Sequence, residues 1–199
     1  MTVLGAPRII LETERLLVRS WIDTDRDLFR EINADPKVME FFPFRRSHAQ
    51  ADALLEKLNG SIQQTGLGFY ALERKETAEP VGFCGLSLAG MPEIFPAETV
   101  EIGWRLATRF WGHGYVTEAG RALLDFAFCE KNIPAVLAFA VADNRRSTSV
   151  MERIGMTRCP QMDFDHPRVP DSHPHLKRHV VYAAMADHAA LAQVPPSGR

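Results

Sequence analysis

The stretch EIGWRLATRFWGHGY, residues 101–115, decides how the rest of the chain is interpreted. Residues 99–106 have the composition of a β-strand, and the apolar spacing over residues 115–130 predicts an amphipathic helix. Between them lie Gly112 and Gly114, which let backbone N–H groups approach a ligand closely. A helix N-terminus adds partial positive charge at the same place. The stretch therefore predicts a strand, a tight turn and a helix that together form a candidate phosphate site.

The composition is that of an ordinary globular protein, with 199 residues, 46% hydrophobic and 24% charged. We expect one domain over residues 1–199, with a core from about 9 to 185 and a frayed tail at 192–199. The formal charge of -2 gives no overall basic field for nucleic acid or anionic lipid. The N-terminus lacks a secretory signal, and the longest near-apolar run, residues 133–142, is far shorter than the ~20 residues of a membrane helix. These features predict a cytoplasmic protein that binds neither nucleic acid nor membrane.

Cysteine and histidine give no metal signature. The chain has three cysteines: Cys84, Cys129 and Cys159. They form no Cys-x-x-Cys pair, so free buried thiols in a reducing compartment are expected. Four histidines come late in the chain: His166, His173, His175 and His179. They straddle a proline-rich loop without a cysteine or paired carboxylate to complete a set, so we expect no metal site.

The remaining elements predict an α+β fold. Strands are expected at residues 8–21, 68–75, 81–89, 99–106, 135–142, 157–164 and 179–184. Helices are expected before Asp35-Pro36, from the Ser47/Gln50 capping box to Gly66, from 115 to 130, and from Asn144 to 154. The aromatic segment 38–44 is expected to pack in the core more readily than to line a ligand cleft. The result is one mixed, mostly antiparallel sheet of about seven strands with about four helices.

The glycine turn alone does not identify its ligand. A dinucleotide fingerprint would need a third glycine where Thr117 stands, and a nucleotide P-loop would need a Gly-Lys-Ser/Thr end that is absent. A pair of glycines before a helix can also serve close packing against a strand. The residues by themselves leave a packing turn and a phosphate site both open.

Two further patterns narrow the choice. Residues 109–114, Arg-Phe-Trp-Gly-His-Gly, match an Arg/Gln-x-x-Gly-x-Gly/Ala signature, and Asn144, Ser147 and the Gly155-Met156 pair match a second pattern downstream. Together they resemble the GCN5-related N-acetyltransferase (GNAT) family over roughly residues 9–185. The opening LETERLLVR, residues 11–19, and the Asp35-Pro36 step resemble the branch that acetylates ribosomal-protein N-termini.

This resemblance implies acetyl-CoA as co-substrate, with its pyrophosphate on the glycine turn and its pantetheine arm beside the preceding strand. The implied cofactor-binding residues are Leu106, Arg109, Trp111, Gly112, His113, Gly114, Tyr115 and Asn144. The implied partner is an amine acceptor, either a protein N-terminus or a small molecule, and the chain would act as a monomer or homodimer. No metal is implied.

The resemblance also implies roles in acetyl transfer. A carboxylate at about the position of Glu101 would deprotonate the amine, although Glu101 could equally be a solvated or salt-bridged residue at a strand end. Glu101, Gly103 and Arg105 are expected on one face of the strand. A backbone N–H near Arg105 or Leu106 would stabilise the oxyanion.

The proton donor for the departing thiolate is the point where the chain departs from the family. Many members have a tyrosine seven residues after the Asn of the second pattern, where this chain has Met151. Ser147 is our preferred substitute, with Tyr115, Tyr182 or water as alternatives, and Ser147 could instead only cap a helix. Two functions follow: an N-acetyltransferase acting on a primary amine, or a non-catalytic acyl-CoA-binding or sensor module of the same fold. Met151 favours the second and Glu101 the first.

Overall fold

A computed structural model describes residues 4–186. Its strands are β1 Ile9–Glu12, β2 Leu16–Arg19, β3 Gly68–Arg74, β4 Pro80–Leu88, β5 Val100–Leu106, β6 Ala135–Val141, β7 Thr157–Arg158, β8 Phe164–Asp165 and β9 Arg178–Met185. Its α-helices are α1 Arg26–Ala34, α2 His48–Thr65, α3 Tyr115–Asp125 and α4 Arg145–Arg153. A π-helical turn, Phe126–Glu130, extends α3 to the predicted end. The predicted tail at 192–199 lies outside the described residues.

The strands form one mixed sheet in the order β1-β2-β3-β4-β5-β6-β9-β7, and β8 also pairs with β9. The β5/β6 pair is parallel, whereas the other neighbours are antiparallel. The α+β class and the mostly antiparallel sheet are thus confirmed. The described residues contain nine strands where about seven were predicted, because two predicted strands each fold as two short ones.

The first break falls at residues 13–15, between β1 and β2. The N–H of Thr13 donates to the C=O of Leu16, which closes a turn and folds β1 back onto β2. The carboxylate of Glu118, in the first turn of α3, accepts from the Thr13 hydroxyl and from the Arg15 N–H. The second break is the short 3₁₀ turn Pro160–Met162, which separates β7 from β8. The predicted continuous strands at 8–21 and 157–164 are therefore wrong.

Helix ends follow their local chemistry. The hydroxyl of Ser47 accepts from the Gln50 N–H and the Gln50 side chain accepts from the Ser47 N–H, which is the predicted capping box. Gly66 ends α2 in the left-handed conformation at φ +74°. Asn144 caps α4 by accepting from the Ser147 N–H. Each cap lies within one turn of the residues it satisfies, so these boundaries are confirmed.

Helices α1 and α2 pack together and contact β4 and β3, respectively, while α3 and α4 contact each other and the sheet at β2, β4 and β6. Trp21, Phe29 and Phe83 form edge and tilted ring contacts under α1. Within the aromatic segment 38–44, Met39 is buried and Val38 packs against the core, but Phe42 and Phe44 are 39% and 46% exposed, so the expected core packing is wrong for these two rings. It connects α1 to α2 beside the end of β5.

Two further expectations concern the burial of the cysteines and the presence of membrane helices. Cys84 is buried, but Cys129 is exposed and Cys159 is partly exposed, so the expectation of three buried thiols is wrong for two of them. Within residues 4–186, no helix combines the length and apolar character needed to cross a membrane.

Candidate active site

The central feature of the site is a gap in the sheet between β5 and β6. The two parallel strands pair only at Val100 with Val136 and at Glu101 with Leu137. Beyond these two rungs β5 continues to Leu106 and β6 to Val141 without further pairing. The strands therefore diverge, and Glu101 lies at the vertex of the resulting splay. A ligand inserted here can bond to backbone groups that would otherwise pair across the sheet.

Hydrogen-bond alternation shows which backbone groups of β5 face the splay. The Ala89 N–H donates to the Thr99 C=O and the Ala107 N–H donates to the Val81 C=O, so odd-numbered residues of β5 bond to β4. Even-numbered residues therefore direct their N–H and C=O groups towards β6. Past the vertex, the backbone N–H and C=O groups of Trp104 and Leu106 point to the open side of the splay. Of the two predicted oxyanion donors, only Leu106 directs its N–H to the open side, whereas the Arg105 N–H faces β4. Leu106 nevertheless lies five residues past Glu101, at the far end of β5.

The glycine turn follows β5 and leads into α3. Gly112 and Gly114 adopt φ +80° and +78°, a left-handed conformation that glycine adopts without the strain of a Cβ. Among residues 4–186, the N–H groups of Gly112, His113 and Gly114 have no hydrogen-bond acceptor, and no side chain caps α3. Three free donors and the positive end of an 11-residue helix thus converge on one surface. Both glycines and His113 are exposed, so an anion can reach them.

The β1/β2 turn braces this surface. The Arg15 side chain donates to Glu118 at 2.6 Å and to the C=O of His113 at 3.0 Å. Its guanidinium also lies 4.9 Å from the centre of the Tyr115 ring, which stacks on the His113 ring at 5.6 Å. The hydrogen bonds from Thr13 and Arg15 lower the pKa of Glu118 even though its partial burial opposes this. The brace holds His113 by its carbonyl and leaves its N–H free.

Two predicted cofactor residues are already engaged. The Arg109 guanidinium forms an ion pair with Glu31 of α1, so a phosphate contact would require that pair to break. The Trp111 indole N–H donates to the Leu106 C=O at 3.0 Å, which orients the ring at the end of β5. Arg146, near the start of α4, lies 4.7 Å above that ring. This contact links the ends of β5 and β6 across the open side of the splay, and sequence reasoning did not identify Arg146.

Glu101 is a partly exposed carboxylate with an unusual environment. No residue in the described range 4–186 donates a hydrogen bond to it or forms an ion pair with it. Burial raises its pKa from 4.5 to about 8, and the nearby positive charge of Arg168 offsets only part of this effect. The predicted alternative of a salt-bridged strand-end residue is therefore not what the structure contains. A carboxyl group with this pKa holds its proton at neutral pH and can act as a base once it is ionised, as the pH approaches 8.

The second sequence pattern lies at the start of α4. The side chain of Asn144 accepts from the Ser147 N–H at 3.2 Å, and the partly buried Ser147 hydroxyl makes no bond to another described residue. Met151 is 2% exposed and packs in the core. The Tyr182 hydroxyl donates to Glu152 at 3.1 Å, so this alternative proton donor is already occupied. Of the candidate proton donors Ser147 and Tyr182, Ser147 is therefore the one whose hydroxyl has no hydrogen-bond partner among the described residues.

The late histidines lie in two pairs. The His166 and His179 rings are 4.8 Å apart, and those of His173 and His175 are 6.1 Å apart. Burial and the neighbouring His179 and Arg168 lower the pKa of His166 to about 4. Over residues 4–186, no three histidine, cysteine or carboxylate side chains are grouped as ligands for a metal ion.

A pair of arginines was not identified from the sequence. Arg46, at the end of the α1/α2 connection, and Arg105, on the Glu101 face of β5, both donate to the side-chain oxygen of Asn33, at 3.2 and 2.7 Å. Arg105 also lies 4.5 Å from the centre of the Phe42 ring. Burial and the positive charge of Arg46 lower the pKa of Arg105 to about 9. These side chains surround the face of β5 that leads to Glu101.

Known proteins are similar to this chain in sequence or in fold. The uncharacterized protein YkkB of Bacillus subtilis is 33% identical over 148 residues, which cover 73% of this chain and 84% of YkkB. A solved acetyltransferase structure from Agrobacterium tumefaciens is 28% identical with a TM-score of 0.70, and the match covers 92% of this chain and 98% of that one. The structure of RimL, a ribosomal L7/L12 alpha-N-protein acetyltransferase in complex with coenzyme A, has a TM-score of 0.71 at 16% identity, covering 90% and 99%.

The sequence model of the acetyltransferase (GNAT) domain matches residues 15–157, which include the splay, the glycine turn and the start of α4. The match covers more than half of the chain and includes β2 to β6, whereas β1, β8 and β9 lie outside it. The chain belongs to the GNAT family of N-acetyltransferases.

Proposed function

We propose that the protein transfers an acetyl group from acetyl-CoA to a primary amine by direct attack within a ternary complex. The observation that carries this proposal is the splay between β5 and β6, which pairs at two rungs only and has Glu101 at its vertex. A thioester at the vertex and an amine on the Glu101 face would meet at this carboxylate. The existence of CoA-bound RimL with the same fold supports the choice of co-substrate.

The residues present fit acetyl-CoA. The unpaired N–H groups of Gly112, His113 and Gly114 would hold the pyrophosphate, and the N-terminus of α3 would add favourable charge. The open backbone groups of Trp104 and the Leu106 N–H would bond to the amides of the pantetheine arm, since the Leu106 C=O already accepts from Trp111. Binding acetyl-CoA supplies an activated acyl group, and the remaining chemistry falls to the side chains around the vertex.

Glu101 would act as the base that prepares the acceptor. Burial raises the pKa of Glu101 to about 8, close to the value of roughly 7.7–8.0 for a protein α-amino group. Proton transfer from the ammonium to Glu101 is then nearly balanced in free energy. The neutral amine nitrogen attacks the acetyl carbonyl carbon, and a backbone N–H of β5 that faces the splay close to Glu101 would stabilise the oxyanion.

This attack gives a tetrahedral adduct, and its collapse breaks the C–S bond between the acetyl carbon and the CoA sulfur. The second proton leaves the nitrogen and ends on the thiolate sulfur, so that an amide and free CoA are the products. Ser147 would relay this proton, because its hydroxyl has no partner among the described residues and lies at the start of α4, just past the end of β6. Asn144 would position Ser147 by capping the same helical turn.

A non-catalytic acyl-CoA-binding module remains the second candidate. The buried Met151, which stands where many family members have a tyrosine, favours it. A CoA-release assay with a panel of peptide N-termini and small amines separates the two. We expect turnover of at least one amine and its loss in Glu101→Gln, with the exposed Glu98→Gln as a matched control. Tight CoA binding without turnover of any amine would favour the module, and no CoA binding would overturn both.

The acceptor, the oligomeric state and the cytoplasmic location stay predictions. The structural neighbours include a ribosomal-protein-serine acetyltransferase of Vibrio cholerae and a ribosomal-protein-S5-alanine acetyltransferase of Vibrio fischeri. At 15% and 16% identity these neighbours share the fold alone. We propose a protein N-terminus as the first acceptor class to test.

A further inference from the structure

The arginine pair formed by Arg46 and Arg105 is not used by acetyl transfer itself. A guanidinium carries five N–H donors, yet each of these arginines donates only to the one oxygen of Asn33. That amide is fixed in turn, because the Asn33 Nδ2 donates to the Phe29 C=O at 2.8 Å. The arrangement leaves most donors of two neighbouring cations unused.

This pair also lacks a counterion. Across residues 4–186, neither Arg46 nor Arg105 forms an ion pair with a carboxylate, whereas Arg109 nearby is paired with Glu31. Two partly buried guanidinium groups that share one neutral acceptor repel each other. Burial lowers the pKa of Arg46, and burial together with Arg46 lowers that of Arg105. An anion placed between them would relieve this repulsion and bond to the free donors.

The pair lies on the acceptor side of the site. Arg105 shares a face of β5 with Glu101, four residues apart, which corresponds to ~13 Å between their Cα atoms. Gly103 lies between them without a side chain, and the Phe69 ring fills the space above it. Phe69 stacks on Phe83 at 5.3 Å, so an aromatic floor joins the two charged groups.

We propose that Arg46 and Arg105 bind an anionic group of the acceptor, so that the preferred substrate is an amine that also carries a carboxylate or phosphate. This inference rests on the proposed acetyl transfer with Glu101 as the base. The α-carboxylate of a free amino acid is too close to its amine to span the distance. An extended peptide advances ~3.3 Å per residue, so an acidic side chain at its third to fifth position would reach the pair.

The test compares matched acceptors. One arm uses peptides that differ only by Glu or Gln at positions two to five, and the other uses ω-aminoalkyl phosphates of graded length against the corresponding alkylamines. We expect kcat/KM for the preferred acidic acceptor to exceed that of its neutral match by roughly 10- to 100-fold, expressed mainly in KM, because charge-assisted bonds to a remote group favour binding. A preference in either arm supports the proposal and identifies the source of the anion.

Variants assign that preference to the arginine pair. Arg105→Gln and Arg46→Gln should each bring the acidic-to-neutral ratio close to 1, and Arg105→Lys should keep part of it. Arg45→Gln removes the same charge from the exposed neighbouring residue and should keep the ratio. If Arg105→Gln fails to fold, Arg46→Gln and Arg105→Lys carry the comparison.

Two results would overturn the inference. A wild-type ratio near 1 in both arms, with neutral amines acetylated normally, would reject the anion site and leave the proposed function standing. A ratio that survives in both Arg46→Gln and Arg105→Gln would place the recognition elsewhere. Failure to acetylate any amine would reject the proposed function and this inference together.

Discussion

The replacement Glu101→Gln should stabilise the fold while it removes activity, and the stabilisation should grow with pH. Burial raises the pKa of Glu101 from 4.5 in its ordinary state to about 8 in the folded protein. Between these values the unfolded chain has released the proton and the folded chain retains it. The free energy of unfolding of the wild type therefore falls as pH rises, by about 1.4 kcal/mol for each pH unit.

The magnitude follows from that slope. From about pH 5 to pH 8 the contribution of Glu101 sums to about 3.5 kcal/mol of lost stability, because the slope flattens near each pKa, and little more is lost once the folded-state pKa is passed. Glutamine keeps a similar shape but carries no proton to lose. The difference in unfolding free energy between the variant and the wild type should thus grow by about 3.5 kcal/mol from pH 5 to pH 8.

Urea unfolding from pH 5 to pH 8 measures the difference in free energy of unfolding between Glu101→Gln and the wild type directly. Glu98→Gln is the control, because Glu98 is an exposed glutamate in the loop before β5. Its difference from wild type should stay within roughly 0.5 kcal/mol at every pH. A difference for Glu101→Gln that does not change with pH would refute the view that this carboxyl is buried and holds its proton near neutrality.

Three further predictions concern the cofactor side of the site. Gly112→Ala should weaken acetyl-CoA binding at least 10-fold by calorimetry, because a Cβ at φ +80° strains the turn. Gly155→Ala is the control, because Gly155 has φ +89° and is equally open; it should cost similar stability without weakening acetyl-CoA binding. Glu118→Gln should cost about 1–2 kcal/mol at neutral pH by urea unfolding. The folded-state pKa of Glu118 is lowered from 4.5, so this cost should disappear as the pH falls below 4.5 and through the lowered pKa. A cost that persists in acid would contradict a stabilising role for the ionised Glu118 carboxylate. Ser147→Ala should lower kcat by about 100-fold or more with little change in CoA affinity, and Ser149→Ala should not; equal kcat values would remove Ser147 from the mechanism.

Local chemistry explains why much of the fold could be predicted. The Ser47/Gln50 capping box, Gly66 at the end of α2 and Asn144 at the start of α4 each act within one helical turn. The helix boundaries can therefore be predicted from these residues alone. The glycine turn is of the same kind, since Gly112 and Gly114 determine its backbone directly.

The errors come from contacts between distant parts of the chain. The break between β1 and β2 depends on Glu118, which lies 103 residues beyond Arg15. The splay depends on where β5 and β6 stop pairing, and no residue within β5 signals this. Likewise, Arg46 and Arg105 become a pair only because α1 places Asn33 between them. A pattern confined to one segment cannot reveal such partners.

The proposed mechanism depends most on where acetyl-CoA binds. A crystal structure with CoA tests this directly. We predict the pyrophosphate oxygens within about 3 Å of the N–H groups of Gly112, His113 and Gly114, and the thiol at the vertex beside Glu101. A CoA molecule bound outside the β5/β6 splay, or with its thiol far from Glu101, would contradict the proposed mechanism.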